Sequence, residues 1–170
     1  MGAVRKADFY FGAMLSCLIN EGWAPAIIEP GDSSRVYSIT TDFGDYQIYA
    51  KYKSNGSGSQ DIQLWHFQFT PDEIRKIGTL RQENKKLFIG LICGQEELQD
   101  SEVVMLTYKV AADCLGLGNK RDSWRISVKR IRGGRRLRVY GTGREDTVHG
   151  RENAWMIPRD LRACFQEECR

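Results

Sequence analysis

Apolar residues recur at intervals of three and four near the start of the chain, which is the period of a helix that packs on one face. The residues with this spacing are Ala7, Phe11, Met14, Leu15 and Leu18. The pattern predicts an amphipathic helix over residues 7–20. Gly22 follows it in the position where a glycine commonly ends a helix.

Three short segments after this helix have the patterning and boundaries of strands. They cover residues 24–30, 35–42 and 45–53, and Phe43 with Gly44 forms the turn between the second and the third. Residues 62–70 are rich in aromatic side chains and are predicted to be extended. A loop rich in serine and glycine separates this segment from the third strand.

A second helix is predicted to begin at Thr70. Thr70, Pro71 and Glu73 form a capping box with proline at the first helical position. Residues 87–93 are apolar on both faces, which is typical of a central strand. A further strand at residues 102–109 is followed by a short helix that Gly116 or Gly118 ends.

The last third of the chain predicts a β-hairpin over residues 123–143, with Gly133 and Gly134 at its turn, and a terminal helix from Pro158. We therefore expect a single α/β domain over residues 1–170. It has a mixed central sheet flanked by helices, in the order helix, three strands, helix, strands. The core covers about 7–110, and the hairpin with the C-terminal extension covers about 120–170.

Composition places the chain among globular proteins of reducing compartments. Hydrophobic residues make up 41% of the sequence and charged residues 28%, and no apolar run is long enough to span a bilayer. The five cysteines are odd in number and form no CxxC pair, so we expect free thiols, no structural zinc, no membrane partner and a cytoplasmic location.

Charge is distributed unevenly. The net charge of the chain is +3, but residues 120–144 contain ten Lys or Arg and one acid, and carry +9. The candidate nucleic-acid-binding residues are Lys51, Lys129, Arg130, Arg132, Arg135, Arg136 and Arg138. Because the hairpin has no carboxylate to neutralise its arginines, we expect them to bind phosphate oxygens of a nucleic acid. The alternatives are an acidic partner protein, or ion pairs with acids elsewhere, such as Glu96, Glu97, Asp100 and Glu102.

The order of a helix, a three-strand meander, a helix and a central strand resembles the core of the PD-(D/E)XK nuclease superfamily. The third strand, "IYAKYKSN", is similar to the strand that carries the acid-x-Lys motif of that family. The resemblance implies that Lys53 is the catalytic lysine. It implies that Asp32 or Asp42 is the first Mg²⁺ ligand and that Glu21 is the acid some members carry on the first helix. Small proteins of this kind are commonly bacterial or phage-borne.

The chain departs from the family at Lys51, which occupies the position of the acid and cannot bind a divalent cation. We therefore expect a degenerate site without cofactor in a protein that binds nucleic acid. One alternative is an active Mg²⁺-dependent nuclease whose acid has migrated, for example to Glu29 or Asp45. Another is a protein-interaction module, such as an inhibitor or an assembly factor. Lys51 and Lys53 also fit an edge strand whose lysines prevent association between sheets.

Overall fold

The computed structural model describes residues 2–83 and 86–168, and within these ranges it contains four helices and two five-stranded sheets. The helices are α1 (Lys6–Asn20), α2 (Pro71–Glu83), α3 (Tyr108–Leu115) and α4 (Leu161–Glu168). The strands are β1 (Ala24–Glu29), β2 (Ser34–Thr41), β3 (Gly44–Lys53), β4 (Ser57–Gly58), β5 (Ile62–Phe69), β6 (Leu87–Cys93), β7 (Glu102–Thr107), β8 (Trp124–Ile131), β9 (Arg136–Gly141), β10 (Thr147–Val148), β11 (Arg151–Glu152) and β12 (Trp155–Pro158).

The first sheet has the strand order β1-β2-β3-β6-β7. The first three strands form an antiparallel meander, β6 runs parallel to β3, and β7 runs antiparallel to β6. Every residue of β6 is buried, as expected for a central strand. The prediction of a mixed sheet flanked by helices is confirmed.

The second sheet has the order β12-β9-β8-β5-β4, and all of its strand pairs are antiparallel. The sequence did not predict that the hairpin belongs to a second sheet, in which its strand β8 pairs with β5. Trp65 lies opposite Val128 and Phe67 opposite Ile126, and all four side chains are buried. Local patterning identifies a strand but not its distant partner, so this pairing was not visible in the sequence.

Helices cover the first sheet and join it to the second. On one face of the first sheet, α1 buries Phe11, Met14 and Leu18 completely. The approach is close at Gly90, where an added Cβ would lie 2.9 Å from Ile48 and 3.1 Å from the sulfur of Met14. The helix α3 contacts β6 and β7 of the first sheet and also β8 and β9 of the second.

Two details of the sequence prediction concern the helix ends. The capping box forms as predicted, because the Thr70 hydroxyl accepts a hydrogen bond from the Glu73 amide, and the Glu73 carboxylate accepts one from the Thr70 amide. Gly116 ends α3 in the left-handed conformation, with φ of 74°. The local signals at these helix ends therefore predicted the structure correctly.

No helix in the described ranges is long and apolar enough to cross a bilayer. Cys17, Cys93, Cys114 and Cys164 are free thiols, and Cys169 lies outside the described residues.

Candidate nucleic-acid interface

Alternation along the β8–β9 hairpin separates its apolar and cationic side chains. The apolar residues Ile126, Val128, Leu137 and Val139 face the core, and the residues between them point to the opposite side of the second sheet, where Ser127 and Arg138 are also buried. We call that side the outer face. Its principal polar residues are His66, Arg125, Ser127, Lys129, Arg136, Arg138 and Tyr140.

A small acidic hairpin contacts the middle of the outer face. Lys129 and Arg138 lie directly opposite each other on β8 and β9, an arrangement that repulsion between like charges disfavours. Asp146 offsets this repulsion, since its carboxylate lies 3.2 Å from Lys129 and 2.8 Å from Arg138. Glu152 binds the other side of Arg138 at 2.6 Å. We call residues 145–152, which include β10 and β11, the acidic flap.

The environment of Asp146 is strongly cationic. Partial burial opposes ionisation of this carboxyl group, but hydrogen bonds from Arg138 and Lys129 outweigh that effect, and the pKa of Asp146 lies below its ordinary value. The flap is therefore charged and attached to the outer face at neutral pH.

Arg130 leaves the hairpin on the other side and belongs to a structural network. Its guanidinium group lies 3.2 Å from Glu102, donates a hydrogen bond to the Asp100 carbonyl and sits 5.2 Å from the centre of the Trp65 ring. Glu102 also binds Arg159. A cleft of about 450 Å³ lies beside this network, and its lining includes Glu96, Glu97 and Asp100. Arg130 and Arg132 line the same cleft, so it combines acidic and basic side chains.

The tip of the hairpin is the most exposed cationic part. Arg132 lies 3.6 Å from Asp61, and these two side chains are 73% and 77% exposed. Arg136 lies 3.5 Å from Glu167, where the exposures are 47% and 51%. Arg135 is exposed and has no ion pair within the described part of the chain. We call Arg132, Arg135 and Arg136 the tip arginines.

The expectation that the hairpin cations lack internal acids is wrong for most of them. Six of the seven candidate residues form an ion pair, namely Lys51, Lys129, Arg130, Arg132, Arg136 and Arg138. The acids lie outside the hairpin, and one of them, Glu102, belongs to the set that the sequence offered as alternative partners. The pairs differ in exposure, and exposed pairs contribute little to stability.

Lys51 is buried in a pair of its own. Its ammonium group lies 2.7 Å from Glu73 at the start of α2, and the two side chains are only 13% and 14% exposed. Glu73 also accepts a hydrogen bond of 2.9 Å from Tyr49. Burial opposes ionisation of Glu73, yet the bonds from Lys51, the Thr70 amide and Tyr49 lower its pKa overall. The structure thus gives Lys51 an intramolecular role and leaves it little surface for a ligand.

Lys53 and Asp42 do not meet. The β2–β3 register pairs Thr41 with Gly44 and Ser34 with Lys51, so Asp42 lies at the turn and Lys53 at the opposite end of β3. Nine residues of extended chain separate Gly44 from Lys53, a distance of about 30 Å. Asp32 lies in the β1–β2 loop, toward the Lys53 end of the strands, and its carboxylate pairs with Arg5 at 2.7 Å. The prediction that Asp42 and Lys53 converge is therefore wrong.

Glu21 and Asp42 do come together, but around a guanidinium group. Arg162 of α4 lies 3.3 Å from the Glu21 carboxylate and 2.5 Å from that of Asp42. The same guanidinium sits 5.3 Å from the centre of the Trp23 ring. A fixed cation therefore neutralises the two acids that the resemblance assigned to a metal.

Sequence reasoning missed a polar cluster at one end of the outer face. Nδ1 of His66 lies 2.7 Å from the Ser127 hydroxyl, and Tyr140 lies directly opposite Ser127 on β9. Arg125 is on the same face of β8, two residues before Ser127, and its buried Nε has no partner in the structure. Burial lowers the pKa of His66, and the charges of Arg125 and Lys53 lower it further. Alternation along β5 and β8 was the only signal for this cluster in the sequence.

Within residues 2–83 and 86–168, no group of three or more His, Cys, Asp or Glu is placed to hold a metal ion. Comparisons of the chain with protein-family models, curated proteins and solved structures find no match.

Proposed function

We propose that the protein binds nucleic acid through the outer face and the tip arginines, and that it does so without metal-dependent cleavage. The observation that carries the proposal is the state of the tip arginines, which are exposed and weakly paired or unpaired. Exposed ion pairs at 3.5–3.6 Å are worth at most about 1 kcal/mol, so a phosphate group can replace their carboxylates. Arginine suits this exchange because its planar fork matches phosphate oxygens.

The dimensions of the outer face also support a polyanionic ligand. Arg125 and Arg136 lie near its two ends, and Lys129 and Arg138 lie between them. The seven residues from Arg125 to the end of β8 at Ile131 span about 20 Å, which corresponds to about six successive phosphates of one strand along a duplex axis. The row therefore has the length of several phosphate groups, and the acidic flap covers its central residue Arg138.

Binding rather than cleavage is proposed because the predicted metal ligands have other partners. Arg162 neutralises Glu21 and Asp42, and Glu73 neutralises the lysine at the acid position of the motif. The order of α1, the β1–β3 meander, α2 and β6 supports the nuclease-like resemblance as the origin of the fold. A bacterial or phage origin and a cytoplasmic location remain parts of the proposal.

A binding titration tests the proposal. Labelled duplex DNA, single-stranded DNA and RNA are titrated with the protein at low and at physiological salt, with Mg²⁺ and with EDTA. We expect binding that weakens steeply with salt and ligands that stay intact in Mg²⁺. Cleavage that disappears in Lys53→Ala would instead favour the active nuclease. The absence of binding to all three ligands at low salt would reject the proposal and leave an acidic protein as the remaining partner class.

A further inference from the structure

The polar cluster around His66 has donors but few acceptors. Arg125, on β8, lies beside Gln68 of β5, and His66 lies opposite Ser127 two residue pairs further along, on the same face of the sheet. Lys53 is exposed at the end of β3, and its charge is one of the causes that lower the pKa of His66. Neither Arg125 nor Lys53 has a carboxylate partner in the part of the chain that the structure describes. A half-buried guanidinium group without a counterion is unfavourable, and an anion would remove that cost.

The geometry fixes which atoms face a ligand. The Ser127 hydroxyl occupies Nδ1 of His66, so Nε2 is the ring nitrogen that remains for an external group. Tyr140 adds a hydroxyl group across the strand pair. Asp146 acts on Tyr140 through its charge, but Arg138 and Lys129 already bind its carboxylate, and the Tyr140 hydroxyl is engaged with Ser127. The groups left for an external ligand are therefore the guanidinium of Arg125 and the imidazole of His66.

We infer that this end of the outer face is a phosphate-binding subsite in which Arg125 and Nε2 of His66 contact phosphate oxygens and Lys53 adds charge. A tetrahedral oxyanion suits these donors, because each can address a different oxygen. The inference rests on the proposed function only for the source of the phosphate, which is a nucleic-acid strand. Free phosphate shares the same chemistry and is a separate arm of the test.

The pKa of His66 reports whether the phosphate subsite is occupied. The chain has two histidines, and His149→Gln, a change in the turn of the acidic flap, leaves His66 as the imidazole to be observed. The imidazole NMR signals are followed against pH without ligand, with inorganic phosphate, with a 5′-hydroxyl oligonucleotide and with its 5′-phosphorylated form. A bound anion favours the imidazolium form, so we expect the pKa of His66 to rise. A rise with the 5′-hydroxyl oligonucleotide identifies a backbone phosphate, and a rise only with its phosphorylated form identifies a strand end.

Variants separate a subsite from a general charge effect. Arg125→Gln should raise about tenfold the phosphate concentration at which the pKa of His66 responds, as expected for loss of a charge-assisted hydrogen bond. The matched control is Lys109→Gln, which removes an exposed cation from α3 and should leave the response unchanged. Equal responses in Arg125→Gln and the wild type would overturn the inference. So would a constant pKa of His66 in every arm.

The outcomes also distinguish the two proposals. An oligonucleotide that binds without changing the pKa of His66 would refute the subsite and leave the proposed function standing. A response to inorganic phosphate from a protein that binds no oligonucleotide would support the subsite and refute the proposed function.

Discussion

The two lysines of β3 have different environments although they are two positions apart on one face of the strand. Lys51 is buried against Glu73, and its position 5.2 Å from the Phe69 ring centre adds a cation–π contact. Lys53 is exposed at the end of the strand. Contact with α2 decides the difference, because Glu73 is delivered by the first turn of that helix. One residue thus stabilises the fold, and the other remains available for a ligand.

Removal of Glu73 should be strongly destabilising. In Glu73→Ala, Lys51 would keep its buried position without a counterion, and Tyr49 would lose its acceptor. We expect the free energy of unfolding to fall by about 3 kcal/mol, measured by urea denaturation. The control is Glu83→Ala, which removes an exposed carboxylate from the same helix and should change stability by less than about 0.5 kcal/mol. Equal effects of the two substitutions would contradict this role for Glu73.

The same pair predicts a dependence on pH. The pKa of Glu73 in the folded protein lies below its ordinary value of 4.5, so its ionisation stabilises the fold above that pH. The contribution is lost as the pH falls through the lower, folded-state pKa. The difference in unfolding free energy between the wild type and Glu73→Gln should therefore be constant near neutral pH and shrink in acid. A difference that grows on acidification would show that the pKa is raised instead.

At the scale of elements, the acidic flap limits the charge of the outer face. Two of its three carboxylates, those of Asp146 and Glu152, bind Lys129 and Arg138, which are otherwise the central cations of that surface. Asp146 is partly buried, whereas the Glu152 side chain is 73% exposed. Asp146 therefore contributes more than Glu152 to holding the flap on the outer face.

Neutralising Asp146 should strengthen the binding of nucleic acid. Asp146→Asn would release Lys129 and part of Arg138 for phosphate, so the plot of log affinity against log salt should become steeper by about one to two. Glu145→Gln is the matched control, because Glu145 is exposed in the same segment and its side chain has no ion pair among the described residues. Thermal unfolding checks that both variants are folded. An unchanged slope in Asp146→Asn would show that the flap does not limit the binding of nucleic acid.

At the scale of the whole molecule, the sequence predicted the elements better than their assembly. The capping box at Thr70, the buried strand β6 and the meander were all readable from local patterns. The pairing of β5 with β8 was not, because it joins residues about sixty positions apart. The pairing of Glu21 and Asp42 with Arg162 was not readable for the same reason, since both acids lie far from Arg162 in the sequence. Contacts between distant segments decide which charges remain free for a partner.

The most direct test of the central claim is the salt dependence of duplex binding with and without the tip arginines. The variant replaces Arg132, Arg135 and Arg136 with alanine, and its control replaces Lys6, Arg75 and Lys109, which removes the same charge from other exposed positions. If the tip contacts phosphates, the slope should become shallower by about three in the variant, because each lost contact removes about 0.9. The control should keep a slope close to that of the wild type. Equal slopes in the variant and the wild type would contradict the claim that the outer face and its tip bind nucleic acid.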